Sequence, residues 1–507
     1  MAAYILAHDL GTTGNKATLY NDEGRLVGSK FVAYKTDFPE VGWAEQNPHD
    51  WWNAVCVSTK ALVTDNNVDP GEIKAISFSG QMMGCLPVDK EGNPLRSSII
   101  WADQRSVEQA RRIEEQIGSE RFYRITGHRI SPTYSVEKMM WVKDNQPHIY
   151  KETYKFLQAK DFIINRLTGQ FVTDYSDATG TNLYDLNQYQ WSEEILAAAQ
   201  IDQEKLPEVH SSFHVAGEIG SKVAEELGLK PGTPVVVGGG DGACATAGAG
   251  VFRAGSSYVY VGSSSWIASL SDKPFYDPLQ RTSTWLSFDH TKFKIAGTMQ
   301  SAGGAYQWLR DTLCGQEVRA GEELGLSEYQ LMDLQAKRSK PGSGGLLFLP
   351  YLLGERSPHW NPDARACFVG LTRKHRRSEM IRSVLEGVAM NLKIILDCFA
   401  GDVPTTEIRA IGGGAQGAIW RQIMADVFDK RMLLPQFIHE ATSLGAAIAG
   451  GIGVGIFRDF DEVEKLNPTQ EVITPNPENV KVYQQLYPTF VKAYESLLEV
   501  FEELANL

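Results

Sequence analysis

The 507-residue sequence has little of several features that would assign it to a specialised class. Its six cysteines are scattered, with no Cys-x-x-Cys pair, which argues against a disulfide framework or a zinc ribbon and is typical of reduced thiols. The ten histidines show no metal-ligand spacing. The net charge of -13 argues against a nucleic-acid partner, because such a protein needs a basic face.

Long apolar runs and low-complexity tracts are also missing. The longest uncharged stretch, residues 441–457, is rich in glycine and shorter than the ~20 residues that a membrane helix needs. No basic run precedes the first apolar segment, so we expect no secretory signal. These features predict a cytoplasmic protein without a membrane partner, and the length predicts two large domains.

Short apolar runs that lead directly into glycines recur along the chain, at residues 4–7, 75–78, 235–237, 258–261 and 408–411. Runs of this length predict buried strands, and the glycines predict exits where the backbone turns sharply or approaches a ligand. Helical patterns occupy the intervals between them. Strands that alternate with helices in this way predict an α/β fold.

Two parts of this pattern suggest further organisation. The strand–loop–strand outline of residues 4–20 returns at residues 258–270, which predicts a duplicated, two-domain protein. In a later interval, apolar residues recur every three or four positions over residues 379–399, and Ser378 is the expected cap of this helix.

The first loop has the composition of a phosphate site. In "HDLGTTGNK", Thr12 and Thr13 offer hydroxyl groups, Lys16 offers a cation, and the glycines offer closely spaced N–H groups. The spacing is not that of a P-loop, and a tight hairpin turn explains the loop alone equally well. Asp9 favours the phosphate interpretation, because a carboxylate at a strand exit beside such a loop is well placed to hold Mg²⁺ through water.

Two later loops carry further candidates. Asp241 ends a fully apolar strand, where it can cap a helix beginning near Gly242 or act as a general base in phosphoryl transfer. These roles are compatible. A G-x-G-x-x-G pattern at Gly412, Gly414 and Gly417 suits either a dinucleotide or an adenine nucleotide, and the other loops favour ATP.

Several longer motifs then point to one family. They are "TYSVEKMMWVKDN" at residues 133–145, "LPYLLGERSPHWNPDARACFVGLT" at residues 349–372 and "ACFVGLTRKHRRSEMIRSVLE" at residues 366–386. With the glycine loops, these motifs resemble the FGGY family of carbohydrate kinases, and the match runs from Tyr4 to about residue 500. Thr133 is the one departure in the first motif, where another residue is usual.

The resemblance implies two actin-like (ribonuclease H-like) ATPase domains, with ATP and sugar in the cleft between them. We expect the N-terminal domain at residues 1–245 and the C-terminal domain at residues 246–507. It further implies Asp241 as the catalytic base, Asp9 as the Mg²⁺ residue and a possible homodimer. The residues expected to bind ATP are Thr12, Thr13, Lys16, Gly262, Ser263, Ser264, Gly303, Gln307, Gly413, Gly414 and Ala418.

Within the family, the sugar loop is most similar to that of xylulose kinases, through the run Gly80-Gln81-Met82. Those enzymes typically have histidine at the position of Met83 and asparagine at the position of Gly242. Glycerol kinases have arginine and glutamate at the two methionine positions, which argues against glycerol. The expected sugar-binding residues are Gln81, Met82, Met83, Trp101, Asp103, Asp241 and Gly242.

The expected reaction is therefore ATP-dependent phosphorylation of D-xylulose to D-xylulose 5-phosphate. A gluconate kinase, or a kinase for another ketose or polyol, is the alternative within the family, and an actin-like ATPase is the alternative outside it. Three assignments stay open. Met83 can simply pack, with Trp101 and Asp103 binding the sugar. Asp103 can instead cap the following helix, and Lys160 with Asp161 can form a structural ion pair near a surface.

Overall fold

The computed structural model describes residues 3–288 and 290–506. Within these ranges the strands form two seven-stranded sheets and several two-stranded ribbons. The strands are β1 (Tyr4–Leu10), β2 (Gly14–Asn21), β3 (Leu26–Ala33), β4 (Glu45–Gln46), β5 (Ile73–Gly80), β6 (Leu86–Val88), β7 (Ser98–Ile99), β8 (Lys155–Leu157), β9 (Val172–Asp174), β10 (Tyr184–Asp185), β11 (Gln190–Trp191), β12 (Glu208–His210), β13 (Val215–Glu218), β14 (Pro234–Val236), β15 (Gly239–Gly240), β16 (Ser257–Val261), β17 (Ser265–Ser271), β18 (Ser283–Leu286), β19 (Phe293–Met299), β20 (Leu347–Leu349), β21 (Cys367–Val369), β22 (Glu407–Ile411), β23 (Arg431–Pro435) and β24 (Thr469–Ile473).

Helices occupy the intervals, as the apolar periodicity predicts. They are α1 (Pro48–Asp65), α2 (Val107–Ile117), α3 (Ser119–Thr126), α4 (Ser135–Asn145), α5 (Pro147–Glu152), α6 (Ala159–Thr168), α7 (Tyr175–Thr179), α8 (Glu193–Ala199), α9 (Ser221–Leu227), α10 (Asp241–Gly248), α11 (Gly303–Leu313), α12 (Gly315–Leu324), α13 (Glu328–Ala336), α14 (Arg377–Asp397), α15 (Ala418–Phe428), α16 (Ala441–Gly453), α17 (Phe460–Val463), α18 (Pro477–Ser496) and α19 (Leu498–Ala505). In the described part of the chain, no helix is both long and apolar enough to cross a membrane.

The first sheet has the order β13-β14-β5-β1-β2-β3, with β15 also paired to β5. Strand β5 runs parallel to β1 on one side and to β15 on the other. Their register aligns Asp9 with Ser79 and Ser79 with Gly239. Because parallel strands end at the same edge of a sheet, the exits of β1 and β15 lie on either side of the end of β5.

The second sheet repeats this arrangement, with the order β18-β19-β17-β16-β22-β23-β24. Strands β16 and β17 form an antiparallel hairpin, as β1 and β2 do, and β22 runs parallel to β16 as β5 does to β1. The predicted α/β fold with two related, actin-like domains is therefore confirmed.

Helices α10 and α16 pack closely against each other, and their small residues make this possible. A Cβ atom at Gly248 would lie 1.6 Å from the backbone oxygen of Ala441, and one at Gly445 would lie 2.0 Å from that of Cys244. Helix α16 also lies on the first sheet, where Gly450 faces Ile5. Helix α16, from the second half of the sequence, thus packs against the sheet formed by the first half. The predicted domain boundary after residue 245 falls inside α10.

Helix α14 begins earlier than its predicted cap. Its N-cap residue is Arg376 and Ser378 lies inside the first turn, so the predicted cap is wrong. The carboxylate of Glu379 accepts the backbone N–H of Arg376 and satisfies that end of the helix instead.

Substituting Gly445 tests the contact between α10 and α16. Gly445→Ala should destabilise the protein by about 1–3 kcal/mol, because the new methyl group meets backbone that cannot rotate away. Urea unfolding gives the measurement, with Gly315→Ala as control, since a Cβ atom at Gly315 in α12 has no neighbour within 4 Å. Equal stabilities of the two variants would contradict the close packing.

Candidate functional site

Two carboxylates lie at neighbouring strand exits in the first sheet. The Oδ1 atom of Asp9 accepts a hydrogen bond of 2.8 Å from the Ser79 hydroxyl. Burial raises the pKa of Asp9 to about 6, with the nearby Asp241 also raising it and the Ser79 hydrogen bond and Lys16 lowering it. Burial also raises the pKa of Asp241, while Lys294 lowers it. The sheet therefore holds two acidic groups that lie close enough for the charge of Asp241 to raise the pKa of Asp9.

Asp241 is the first residue of α10 and does not cap it. The N-cap residue is Gly240, and no side chain completes the cap. The carboxylate of Asp241 instead lines the largest of the cavities described below. The capping role expected from the sequence is therefore not seen, and Asp241 lines the cavity instead.

A buried polar network fixes the backbone just before Asp241. The N–H of Gly240 donates to the Ser176 hydroxyl, which donates to the Asp174 carboxylate. Asp174 in turn lies 3.0 Å from the Lys160 amine, which also contacts Asp161 and Asp177. All four ionic side chains are buried. The ion pair of Lys160 and Asp161 is thus internal rather than near a surface, and it supports the strand that presents Asp241.

A cavity of about 600 Å³ lies in front of Asp241, between residues from the two halves of the chain. Five of the predicted sugar-binding residues line it: Met82, Met83, Trp101, Asp241 and Gly242. The Trp101 indole N–H donates to the Thr12 hydroxyl at 2.9 Å, which ties the cavity wall to the first glycine loop. This volume suits a small polar metabolite.

The remaining two predicted sugar residues do not line this cavity. The Asp103 carboxylate accepts the backbone N–H of Ala44 and pairs with the Arg105 guanidinium, so its oxygens are occupied by the protein. It does not cap α2 either, whose N-cap residue is Ser106. The Gln81 amide donates to the Gln46 side chain at 2.7 Å. Both side chains are buried, and the Oε1 atom of Gln81 has no hydrogen-bond partner among the described residues.

The first glycine loop is partly exposed, and it contacts the other half of the chain through Lys16. Thr13 is exposed and Thr12 half-buried. The Lys16 amine donates to the backbone oxygen of His439 and lies 3.3 Å from the Glu440 carboxylate. Lys16 therefore bridges β2 and the residues that precede α16.

The second group of predicted ATP residues comes together at the end of β16. The N–H of Gly303 donates to the oxygen of Gly262, and a Cβ atom at Gly303 would lie 2.4 Å from it, so only glycine fits there. The oxygen of Ser263 accepts N–H groups of Ala302 and Gly304. The loops at residues 262–264 and 301–304 are therefore one unit.

The third glycine loop lies beside this unit, because β22 is the parallel neighbour of β16. A Cβ atom at Gly414 would lie 2.4 Å from the Val261 side chain, whereas Gly413 and Ala418 are exposed. Gln307 is exposed on α11. Sequence-distant predicted nucleotide residues thus share one edge of the second sheet. Ser264 lines the main cavity and connects that edge with it.

Two cations in the cavity wall were not predicted from the sequence. Lys294, in β19, is buried, and the structure records no hydrogen bond or ion pair for its amine among the described residues. Arg356 also lines the cavity, and its buried Nε atom has no hydrogen-bond partner among the same residues. Burial lowers the pKa of Lys294 to about 8 and also lowers that of Arg356. A lysine inside the apolar run "FKIAGTM" is the one signal that could have revealed the first of them.

Comparison with known proteins identifies the family. Residues 4–248 match the N-terminal domain of the FGGY family of carbohydrate kinases, and residues 258–454 match its C-terminal domain. The chain belongs to this family. The motif resemblance is confirmed, and the protein is a carbohydrate kinase of a family that uses ATP.

The chain is similar to relatives that are named for two different substrates. Gluconokinase of Bacillus subtilis (strain 168) is 33% identical over 510 residues, covering 100% of this chain and 98% of that protein. Xylulose kinase of Staphylococcus xylosus is 30% identical over 495 residues, covering 97% and 100%. The ligand-bound structure of xylulose kinase from Lactobacillus acidophilus has a TM-score of 0.92, at 29% identity, and covers 99% of this chain and 100% of its own.

The raised pKa of Asp9 has a testable consequence for stability. Above pH 6 the Asp9 carboxylate is charged in both states, but it is buried in the folded protein and solvated in the unfolded chain. This difference destabilises the folded protein. Asp9→Asn removes the charge and should therefore raise the free energy of unfolding at pH 8, by at most about 3 kcal/mol. The gain should shrink as the pH falls from 7 towards 4, because Asp9 then becomes neutral in the folded protein. Urea unfolding at pH 8 and pH 5 measures this.

The exposed Asp22 provides the matched control for that comparison, since Asp22→Asn removes a charge that water already solvates. An Asp9→Asn variant with no gain over Asp22→Asn at pH 8 would contradict the electrostatic description of the site.

Proposed function

We propose that the protein transfers the γ-phosphoryl group of ATP to a hydroxyl group of a sugar or sugar acid held in the main cavity, with Asp241 as general base. The observation that carries this proposal is the position of Asp241. Its carboxylate faces the cavity beside a strand exit that also carries Asp9 and the first glycine loop. Acceptor, base and phosphate donor can therefore meet at one sheet edge.

The reaction follows from these positions. The accepting hydroxyl donates its proton to the Asp241 carboxylate while its oxygen forms a bond with the γ-phosphorus. The bond between that phosphorus and the bridging oxygen of ADP breaks, and ADP leaves with the electron pair. Lys294 lowers the pKa of Asp241 and so favours its ionised, proton-accepting form.

The first and second glycine loops supply the proposed phosphate contacts. Thr12, Thr13 and Lys16 act from the first loop, Gly262, Ser263 and Ser264 from the second. The remaining proposed nucleotide residues, which lie at the edge of the second sheet, are Gly303, Gln307, Gly413, Gly414 and Ala418. Backbone N–H groups and hydroxyls of this kind hold phosphate without a large positive charge.

The acidic pair fits a magnesium ion. Mg²⁺ is usually bound by one or two carboxylates together with substrate phosphates, and the described residues contain no larger cluster of ligating side chains. Asp9 is the proposed ligand, directly or through water, because it is a buried carboxylate at a strand exit with a second acid, Asp241, nearby, and a cation would stabilise its charged form. When bound, Mg²⁺ neutralises charge that develops on the phosphates.

The charge of the cavity bears on the choice of substrate. Lys294 and Arg356 both line it, and the structure records no hydrogen bond or ion pair for either side chain among the described residues. Asp241 and Glu355 are the nearby opposite charges, and they balance the two buried cations only in part. A carboxylate on the substrate would balance that charge, which favours gluconate. D-xylulose, which forms D-xylulose 5-phosphate, is the second candidate, supported by the run Gly80-Gln81-Met82 and by relatives of similar identity.

Domain closure completes the proposal. The N-terminal domain, residues 1–245, would carry the sugar site and first phosphate loop, and the C-terminal domain, residues 246–507, the adenosine site. Closing around both substrates would exclude water as a competing acceptor.

A cytoplasmic location and a homodimer belong to the same proposal, and light scattering after gel filtration would measure the oligomeric state.

Replacing the base tests the mechanism. Asp241→Asn keeps the shape of the side chain but cannot accept the proton, so kcat should fall roughly 10²- to 10⁴-fold while the Kd for ATP changes little. Coupled ADP release and calorimetry measure the two quantities. Asp103→Asn is the control: it should lower stability and leave kcat within about threefold, because Asp103 binds Arg105 and not the cavity. Comparable kcat losses in both variants would remove the assignment of Asp241.

A panel of sugars tests the substrate. ADP release with ATP and Mg²⁺ should have its highest kcat/KM with gluconate, compared with D-xylulose, L-xylulose, D-ribulose, glycerol, xylitol and erythritol. Turnover of D-xylulose with none of gluconate would mean that the two cations bind neutral oxygens of a ketose. ADP release that does not depend on any sugar would refute the proposed transfer.

A further inference from the structure

Position 242 lacks a side chain, and another residue occupies the space. A Cβ atom built on Gly242 would lie 2.4 Å from the Nζ atom of Lys294. The two residues are far apart in the sequence, on α10 and β19. Gly242 lies in a helix and not at positive φ, so the backbone does not require glycine there. The neighbouring amine occupies this space, so a side chain at position 242 would require the Lys294 amine to move.

The position of Lys294 directs its amine into the cavity. Lys294 pairs with Leu270 of β17 on one side and with Trp285 of β18 on the other, and its amine lies 5.1 Å from the centre of the Trp285 ring. These neighbours bury the aliphatic part of the side chain, and the residue is only 7% exposed. The amine lines the cavity beside Asp241 and Gly242, with no hydrogen bond recorded among the described residues.

A buried ammonium group without protein acceptors needs an acceptor from water or a ligand. Burial lowers the pKa of this amine to about 8 and Asp241 opposes that effect, so the protonated form predominates at pH 7. It therefore offers up to three N–H donors to whatever fills the cavity next to the catalytic carboxylate.

We propose that Lys294 is a substrate-binding residue that determines specificity, and that it works as a pair with Gly242: the amine takes the place of the missing side chain at 242 and binds a substrate oxygen beside the accepting hydroxyl. This inference rests on the proposed function. Residues 242 and 294 would then determine specificity together, because the lysine at position 294 needs a small residue at position 242.

A structural role must be distinguished from this one. Lys294 also lines a smaller, mainly apolar cavity of about 240 Å³ on the far side, so its stem contributes to the wall between the two cavities. Lys294→Met keeps most of that volume and removes the donors. If the residue binds substrate, this variant raises the KM for sugar about 10- to 100-fold and leaves the KM for ATP within about twofold. If it only fills space, neither KM changes.

Lys292→Met is the matched control for the loss of a charge in the same region. Lys292 is two residues away and pairs with Asp272 at 2.8 Å, and it is not among the residues that line the main cavity. This variant should leave the KM for sugar unchanged.

A double-mutant cycle tests the pairing directly. Gly242→Asn alone should lose sugar binding, because its side chain collides with the Lys294 amine. Combining Gly242→Asn with Lys294→Ala removes the collision and restores a polar group from α10, so kcat/KM should recover at least about tenfold over Gly242→Asn. A double variant no better than the single one would overturn the pairing, since the two changes would then be independent.

Two readouts keep this inference separate from the proposed function. Calorimetric titration of the wild-type protein with gluconate, and then with D-xylulose, reports binding whether or not turnover follows. A wild-type protein that binds and phosphorylates a sugar, with Lys294→Met indistinguishable from it, would overturn the inference alone. A wild-type protein that neither binds nor phosphorylates any acceptor of the panel would overturn both.

Discussion

The site depends on the parallel pairing of β5 with two strands at once. Because β1 and β15 flank β5 in register, Asp9 and Asp241 leave the sheet on either side of Ser79 and Gly80. Asp9 could not be moved by one residue without turning its side chain to the other face of the sheet, since side chains alternate along a strand. The buried network that holds Gly240 fixes the second acid further, so two carboxylates that repel each other are kept close together.

The second constraint is the contact between α10 and α16. The helix that begins with Asp241 can approach α16 only because Gly248 and Gly445 have no side chains. The strand exit that carries the proposed base is therefore joined to the segment that precedes α16, where Glu440 lies 3.3 Å from Lys16. A movement of one half relative to the other would therefore shift both the proposed base and the first glycine loop. An enzyme that closes on two substrates requires such a connection.

Features encoded locally could be predicted from the sequence, and features that depend on tertiary pairing could not. Glycine-terminated apolar runs predicted the strands and their loops correctly, because strand length and backbone freedom are local properties. The Asp103 carboxylate accepts from Ala44 and the Gln81 amide donates to Gln46, and both partners are distant in the sequence, so these contacts could not be predicted from it. Lys294 reaches Gly242 only through the packing of β19 beside α10, which no spacing in the sequence reveals.

A crystal structure with a non-hydrolysable ATP analogue, Mg²⁺ and gluconate tests the placement of Asp241 most directly. The expected result is a sugar hydroxyl within hydrogen-bonding distance of the Asp241 carboxylate. The γ-phosphate should lie between the loops at residues 12–13 and 262–264, with the metal next to Asp9. A sugar bound outside the cavity, or a hydroxyl facing the γ-phosphate with no contact to Asp241, would contradict the role of this residue as the base.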